Sequence, residues 1–103
     1  MVVYNVTISI DVAIADSWLE WMKETHVPEV MATGCFRDSK ICRVHGEEEG
    51  GVTYAVMYTA YSEKDLDLYE VQHAPKLQSE LTDKFKGKTA SFRTLLSVIQ
   101  EFK

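Results

Sequence analysis

Only two prolines interrupt this chain of 103 residues, and each follows a histidine by two places, in His26-Val27-Pro28 and His73-Ala74-Pro75. Cysteine is equally scarce. Cys35 and Cys42 are seven apart, and on an extended strand an odd separation points side chains to opposite faces, which argues against a disulfide between them. No second cysteine pair exists to complete a zinc site, so no metal is expected. Basic residues are outnumbered 11 to 16, for a net charge of −5. That excludes nucleic acid as a main partner, because neutralising phosphates needs a basic face. No apolar run approaches the ~20 residues of a membrane span. The first residues, MVVYNVTISIDV, lack a basic leader and a cleavage site, so a cytoplasmic location is expected. There is no G-x-S-x-G elbow and no P-loop, and Ser79, Ser91 and Ser97 stand in no recognisable triad context. No cofactor is expected.

What is present is a regular succession of elements within one domain spanning residues 1–103. Tyr4, Val6, Ile8 and Ile10 alternate with Asn5, Thr7 and Ser9, the pattern of a half-buried strand. A helix should open at Asp16 or Ser17, with Glu20 closing a capping box on Ser17, and run to about Ala32 with Gly34 just past its end. A strand is expected over 35–45. GEEEGG, residues 46–51, reads as a hairpin tip, either a cation site or a solvated loop. A third strand covers 52–61, rich in β-branched and aromatic residues. Ser62, with Asp65 at the box position, caps a second helix to about Phe85, and a last strand occupies 89–100. The order β-α-β-β-α-β with right-handed crossovers predicts an α+β, ferredoxin-like sandwich: a four-stranded antiparallel sheet with two helices on one face.

The two halves repeat. A shift of 47 residues lays Leu19 on Leu66, Met22 on Tyr69, His26 on His73, Pro28 on Pro75 and Val30 on Leu77. Each histidine thus falls in the middle of an apolar helical stripe. Each proline denies a donor to the carbonyl four residues back, so a kink or a restart is expected in both helices. A bent helix can follow a twisted sheet. The histidines themselves have two readings: buried polar groups satisfied by a partner, or rings bordering a pocket between helix and sheet.

The stretches YNVTISID, WLEWMKETHVPEVMATGCF, EEGGVTYAVMYTAYS, YEVQHAPKL and FRTLLSVI cover nearly the whole chain. Over them the sequence resembles a small bacterial family known only as a domain of unknown function, within the dimeric α+β barrel superfamily. The resemblance implies the fold and a homodimer that closes as an α+β barrel; it implies no activity. The wider superfamily holds cofactor-independent oxygenases, haem-degrading enzymes and muconolactone isomerases. Haem-degrading members carry an Asn on the first strand and a His on the second helix, which Asn5 and His73 partly match, but the Trp expected on that helix is missing. A homodimer also has a physical motive, since a sheet with helices on one side leaves its other face bare. Strands three and four read as apolar on both faces: Tyr54, Val56 and Tyr58 against Met57 and Tyr61, and Phe92, Leu96 and Val98 against Leu95 and Ile99.

The candidate pocket set is therefore His26, His73, Trp18, Trp21, Asn5, Tyr54, Tyr58 and Arg93. Trp18 and Trp21 are either core or interface packing, or a ligand wall. Arg93 sits inside a long apolar strand, and three roles fit it: pairing with a carboxylate across a dimer, reaching solvent, or binding an anionic ligand. Two functions from different classes fit these residues. One is a non-enzymatic homodimer that binds a small molecule or a partner protein. The other is a cofactor-independent oxygenase- or isomerase-like enzyme on a small apolar aromatic or carbonyl substrate.

Overall fold

Strand β1 (Val2–Asp11) lies inside the sheet, paired antiparallel with β3 (Gly51–Ala60) on one side and β4 (Thr89–Ser97) on the other. Strand β2 (Phe36–Arg43) completes the order β2-β3-β1-β4. The computed structural model describes residues 1–46 and 48–103. Helices α1 (Ala15–Trp21) and α2 (Val27–Ala32) connect β1 to β2, and α3 (Glu63–Gln72) and α4 (Ala74–Lys84) connect β3 to β4. This is the ferredoxin-like sandwich, with each expected helix built as two segments about a bend.

The alternation in β1 decides which sheet face meets the helices. Val2, Tyr4, Val6, Ile8 and Ile10 are buried, and β3 sets Ala60, Tyr58, Val56 and Tyr54 directly opposite the first four of them. Trp18, Met22, Val30, Leu66, Tyr69, Leu77 and Phe85 close the core from the helical layer. A completely buried side chain such as Ile10 contributes roughly 1.5–3 kcal/mol. The opposite face is more mixed than strands three and four suggest in isolation. Because Tyr54, Val56 and Tyr58 all turn inward, the bare side presents Val3, Ala55, Met57, Phe92 and Leu96 among Asn5, Thr7, Thr59 and Thr94.

Several boundaries move. The first helix does not start from a cap at Asp16 or Ser17 with Glu20. Asp11 ends the strand, its Oδ1 accepts from the Ala13 N–H at 2.9 Å, and a 3-10 turn (Val12–Ile14) runs directly into α1. The capping acid is thus the last strand residue, where the chain must turn. Strand β4 stops at Ser97 rather than 100, opposite Val2, where its partner β1 begins. The Ser62 cap is as expected: its Oγ accepts from the Asp65 N–H at 3.2 Å. Gly34 takes a φ of 77°, the left-handed geometry that ends α2.

The two prolines bend their helices by different means. Ahead of Pro28 the chain forms a π turn (Met22–His26), in which the Val27 N–H bonds the Met22 carbonyl five residues back. The widened turn admits Pro28 near the start of α2 without an α-helical donor being required of it. Ahead of Pro75 the helix is interrupted at His73, whose φ widens to −119° with ψ at −40°, and α4 restarts with the proline in its first turn.

Candidate functional site

The helical layer covers β3 and β1 but not the outer strand β4. Along β1 the helix-side residues Tyr4, Val6 and Ile8 are buried, while their β4 neighbours on the same face, Ser91, Arg93 and Leu95, are exposed. A cleft of about 230 Å³ opens along this step, between α1, α4 and the β1–β4 pair. Its walls are Trp18, Leu81, Phe85 and Ile8, and its polar rim carries Gln78, Ser91, Arg93 and Lys86. Ile8, Gln78, Leu81 and Arg93 also border a deeper chamber of about 20 Å³, room for about one water molecule. That chamber is enclosed by Tyr4, Met22, His26, Tyr58 and Tyr69.

The polar groups here form a chain with vacancies at one end. Arg93 Nε donates to Tyr4 Oη at 2.6 Å, and Gln78 Nε2 donates to the same oxygen at 3.3 Å. Both lone pairs of that hydroxyl are thereby engaged, so its proton is free to be donated. Among the described residues two buried ring nitrogens lack a partner: Nε1 of Trp18, a residue 0% exposed, and Nδ1 of His26, which is 6% exposed. An unmet buried polar atom costs about 1–3 kcal/mol.

Burial pushes the His26 pKa down from its ordinary value, and the charge of Glu80 only partly opposes this, so the imidazole is neutral near pH 7. Burial also raises the Tyr58 and Tyr69 phenols, with Tyr4 adding to both, and keeps them protonated. Aromatic rings pack around the site. Trp21 stacks on His26 at 5.2 Å between ring centres and meets Phe85 edge-on at 5.5 Å, while Trp18 stacks on Tyr54 at 5.1 Å. Tyr4, Phe36, Tyr58 and Tyr69 make a second cluster, with Phe36 and Tyr69 at 4.8 Å.

Of the eight residues singled out from the sequence, Trp18, His26, Tyr58 and Arg93 line the cleft or its chamber. Tyr54 and Trp21 stand behind them as stacking partners. Asn5 lies on the opposite sheet face, its Nδ2 donating to Thr7 Oγ1 at 3.1 Å and its Oδ1 buried without a partner. His73 lies in an outer groove with Glu29, Lys76 and Glu80, facing Tyr69 at 6.4 Å. The two imidazoles therefore have different surroundings although their sequence contexts match. Tyr4 and Gln78 were not singled out. Gln78 falls on the stripe Ala74, Leu77, Gln78, Leu81, Phe85, and a polar residue on an apolar stripe was the available signal. Tyr4 is camouflaged as one more apolar position of an alternating strand.

A larger hollow, about 760 Å³, underlies the hairpin between β2 and β3. Its rim residues Arg43, Val44, His45, Glu48 and Glu49 are all exposed, and no unpartnered buried side-chain atom lies there among the described residues. Of the hairpin glutamates, Glu47 lies outside the described residues. Glu48 accepts from Ser9 and Thr53, and those hydrogen bonds hold its carboxyl below the usual range.

The model of one protein family, described as a domain of unknown function (DUF4286), matches residues 1–99. No curated protein matches the chain. Among solved structures, a dimeric ferredoxin-like protein from an uncultured marine organism superposes with a TM-score of 0.76 at 11% identity, covering 100% of this chain and 99% of that one. An antibiotic biosynthesis monooxygenase gives 0.68 at 13% identity, covering 97% and 100%. An ethyl tert-butyl ether d (EthD) family protein of Bacillus halodurans C-125 gives 0.66 at 20%, covering 96% and 100%. At such identities the likeness is one of fold.

Proposed function

The chain belongs to this family of domains of unknown function, and we propose that it is a homodimer that binds a small, largely apolar molecule in the cleft beside β4. One observation carries the reading: the Trp18 side chain lines the cleft, and its buried indole N–H has no acceptor among the described residues. A guest with an acceptor group would satisfy it while covering Ile8, Leu81 and Phe85. The second copy is placed on the bare sheet face. Phe92 is 62% and Leu96 48% exposed there, beside the unpaired Asn5 Oδ1, and a similar fold in the comparisons is named a dimeric ferredoxin-like protein. The test combines native mass spectrometry of protein purified from its own source with the Trp18 indole N–H resonance in NMR. A co-purifying small molecule, and a downfield shift of that resonance when it is added back to stripped protein, are expected. A ligand-free protein whose indole signal stays still against a broad small-molecule panel overturns the reading.

A second reading, a cofactor-independent enzyme on an aromatic or carbonyl substrate, draws support from His26. A neutral imidazole with an unpaired nitrogen beside a Tyr4 proton has the parts of a general base and an electrophile. His26→Gln separates the two: as an enzyme, the variant keeps ligand affinity and loses turnover; as a binding protein, there is no turnover to lose.

A further inference from the structure

The chain carries five more acidic than basic groups, yet among the described residues no Asp or Glu lines the cleft, while Arg93 and Lys86 do. Glu80, whose charge is felt at His26, lines the outer groove instead. Arg93 is oriented by its Nε bond to Tyr4 Oη, and it forms no ion pair among the described residues, where the one salt bridge joins Arg37 to Asp38. Its terminal amino groups, which suit a carboxylate in a two-pronged contact, are left without a counter-charge. The Gln78 amide on the same wall includes a donor that favours the same kind of oxygen. Opposite them lie Ile8, Leu81 and Phe85, and the volume of about 230 Å³, below the ~300 Å³ where drug-sized pockets begin, limits a guest to one or two rings.

We infer that the ligand is a small organic anion, a carboxylate on a one- or two-ring apolar body, with the carboxylate at Arg93 and the rings between Trp18 and Phe85. This deepens the binding reading above and rests on it. Neutral polar groups alone would explain the Trp18 vacancy; the oriented, uncompensated guanidinium in an acid-free cleft is what selects charge.

The experiment uses matched probes on the full chain by calorimetry at about pH 7 and low salt: benzoate, 2-naphthoate and indole-3-acetate, each against its neutral amide. At least one carboxylate is expected to bind about tenfold or more tighter than its amide, and added salt should narrow that gap. Arg93→Gln, at an exposed position where folding is checked by its melting curve, should abolish the preference by weakening the carboxylate about tenfold more than the amide. Amides that bind as tightly as the acids, or a carboxylate preference that survives Arg93→Gln, overturn the anion inference and leave the cleft reading standing. Absence of saturable binding by every probe, acid or amide, together with a motionless Trp18 indole signal, overturns both.

Discussion

Arg93 and Tyr4 sit diagonally across the β1–β4 pair, Tyr4 opposite Leu95 and Arg93 opposite Val6, and the guanidinium Nε reaches the phenol oxygen at 2.6 Å. Diagonal neighbours on one sheet face are far enough apart that only long side chains meet. The bond joins the edge strand to the inner strand on the side the helices leave uncovered, and it orients the one cation that the deep chamber and the outer cleft share.

Tyr4→Phe removes the acceptor of both Arg93 and Gln78. Since Arg93 is exposed, a coupling of only about 1 kcal/mol is expected from a Tyr4→Phe/Arg93→Gln double-mutant cycle in urea. Strictly additive effects would show that the contact contributes nothing to stability.

Trp18→Ala should cost about 3–5 kcal/mol, because the side chain is completely buried and stacked on Tyr54. Trp21→Ala should cost less, as Trp21 is half-buried. Chemical denaturation giving the reverse ranking would contradict the assignment of Trp18 to the core and Trp21 to its edge.

His26 links stability to pH. Its folded pKa lies below the ordinary 6.5, so the unfolded chain binds the proton more readily. The neutral ring's contribution is complete above about 6.5 and is lost as pH falls from there through the folded value. His26→Gln should flatten this part of the stability profile, and the ring's NMR titration midpoint should fall below 6.5. A midpoint above that value would contradict the burial argument.

Phe92→Glu places a charge on the bare sheet face without touching the core. Sedimentation at micromolar concentration should show the wild type as a dimer and the variant shifted to monomer. A dimer indifferent to Phe92→Glu would put the subunit contact elsewhere.

Much of the architecture was legible in the residues because it depends on local rules. The alternation of Val2 to Ile10, the Ser62 cap and the glycine at 34 each report on a few neighbouring bonds, and together they specify four strands, two bent helical rods and their order. The expectation of equivalent histidines used the same local logic and reached its limit there. His26 and His73 occupy like places in like stripes, but one closes a π turn beneath Trp21 and the other breaks a helix at an outer groove. A stripe says that a residue faces something; it does not say what.

By itself the sequence determined which residues share a face within each element, because side-chain direction follows backbone periodicity. Only the tertiary structure decided which of them meet. Tyr4, Arg93, Gln78 and Trp18 come from four elements up to 89 residues apart, and they converge because β4 pairs outside β1 and beyond the reach of the helices. That pairing is a long-range choice of register, and no local pattern encodes it.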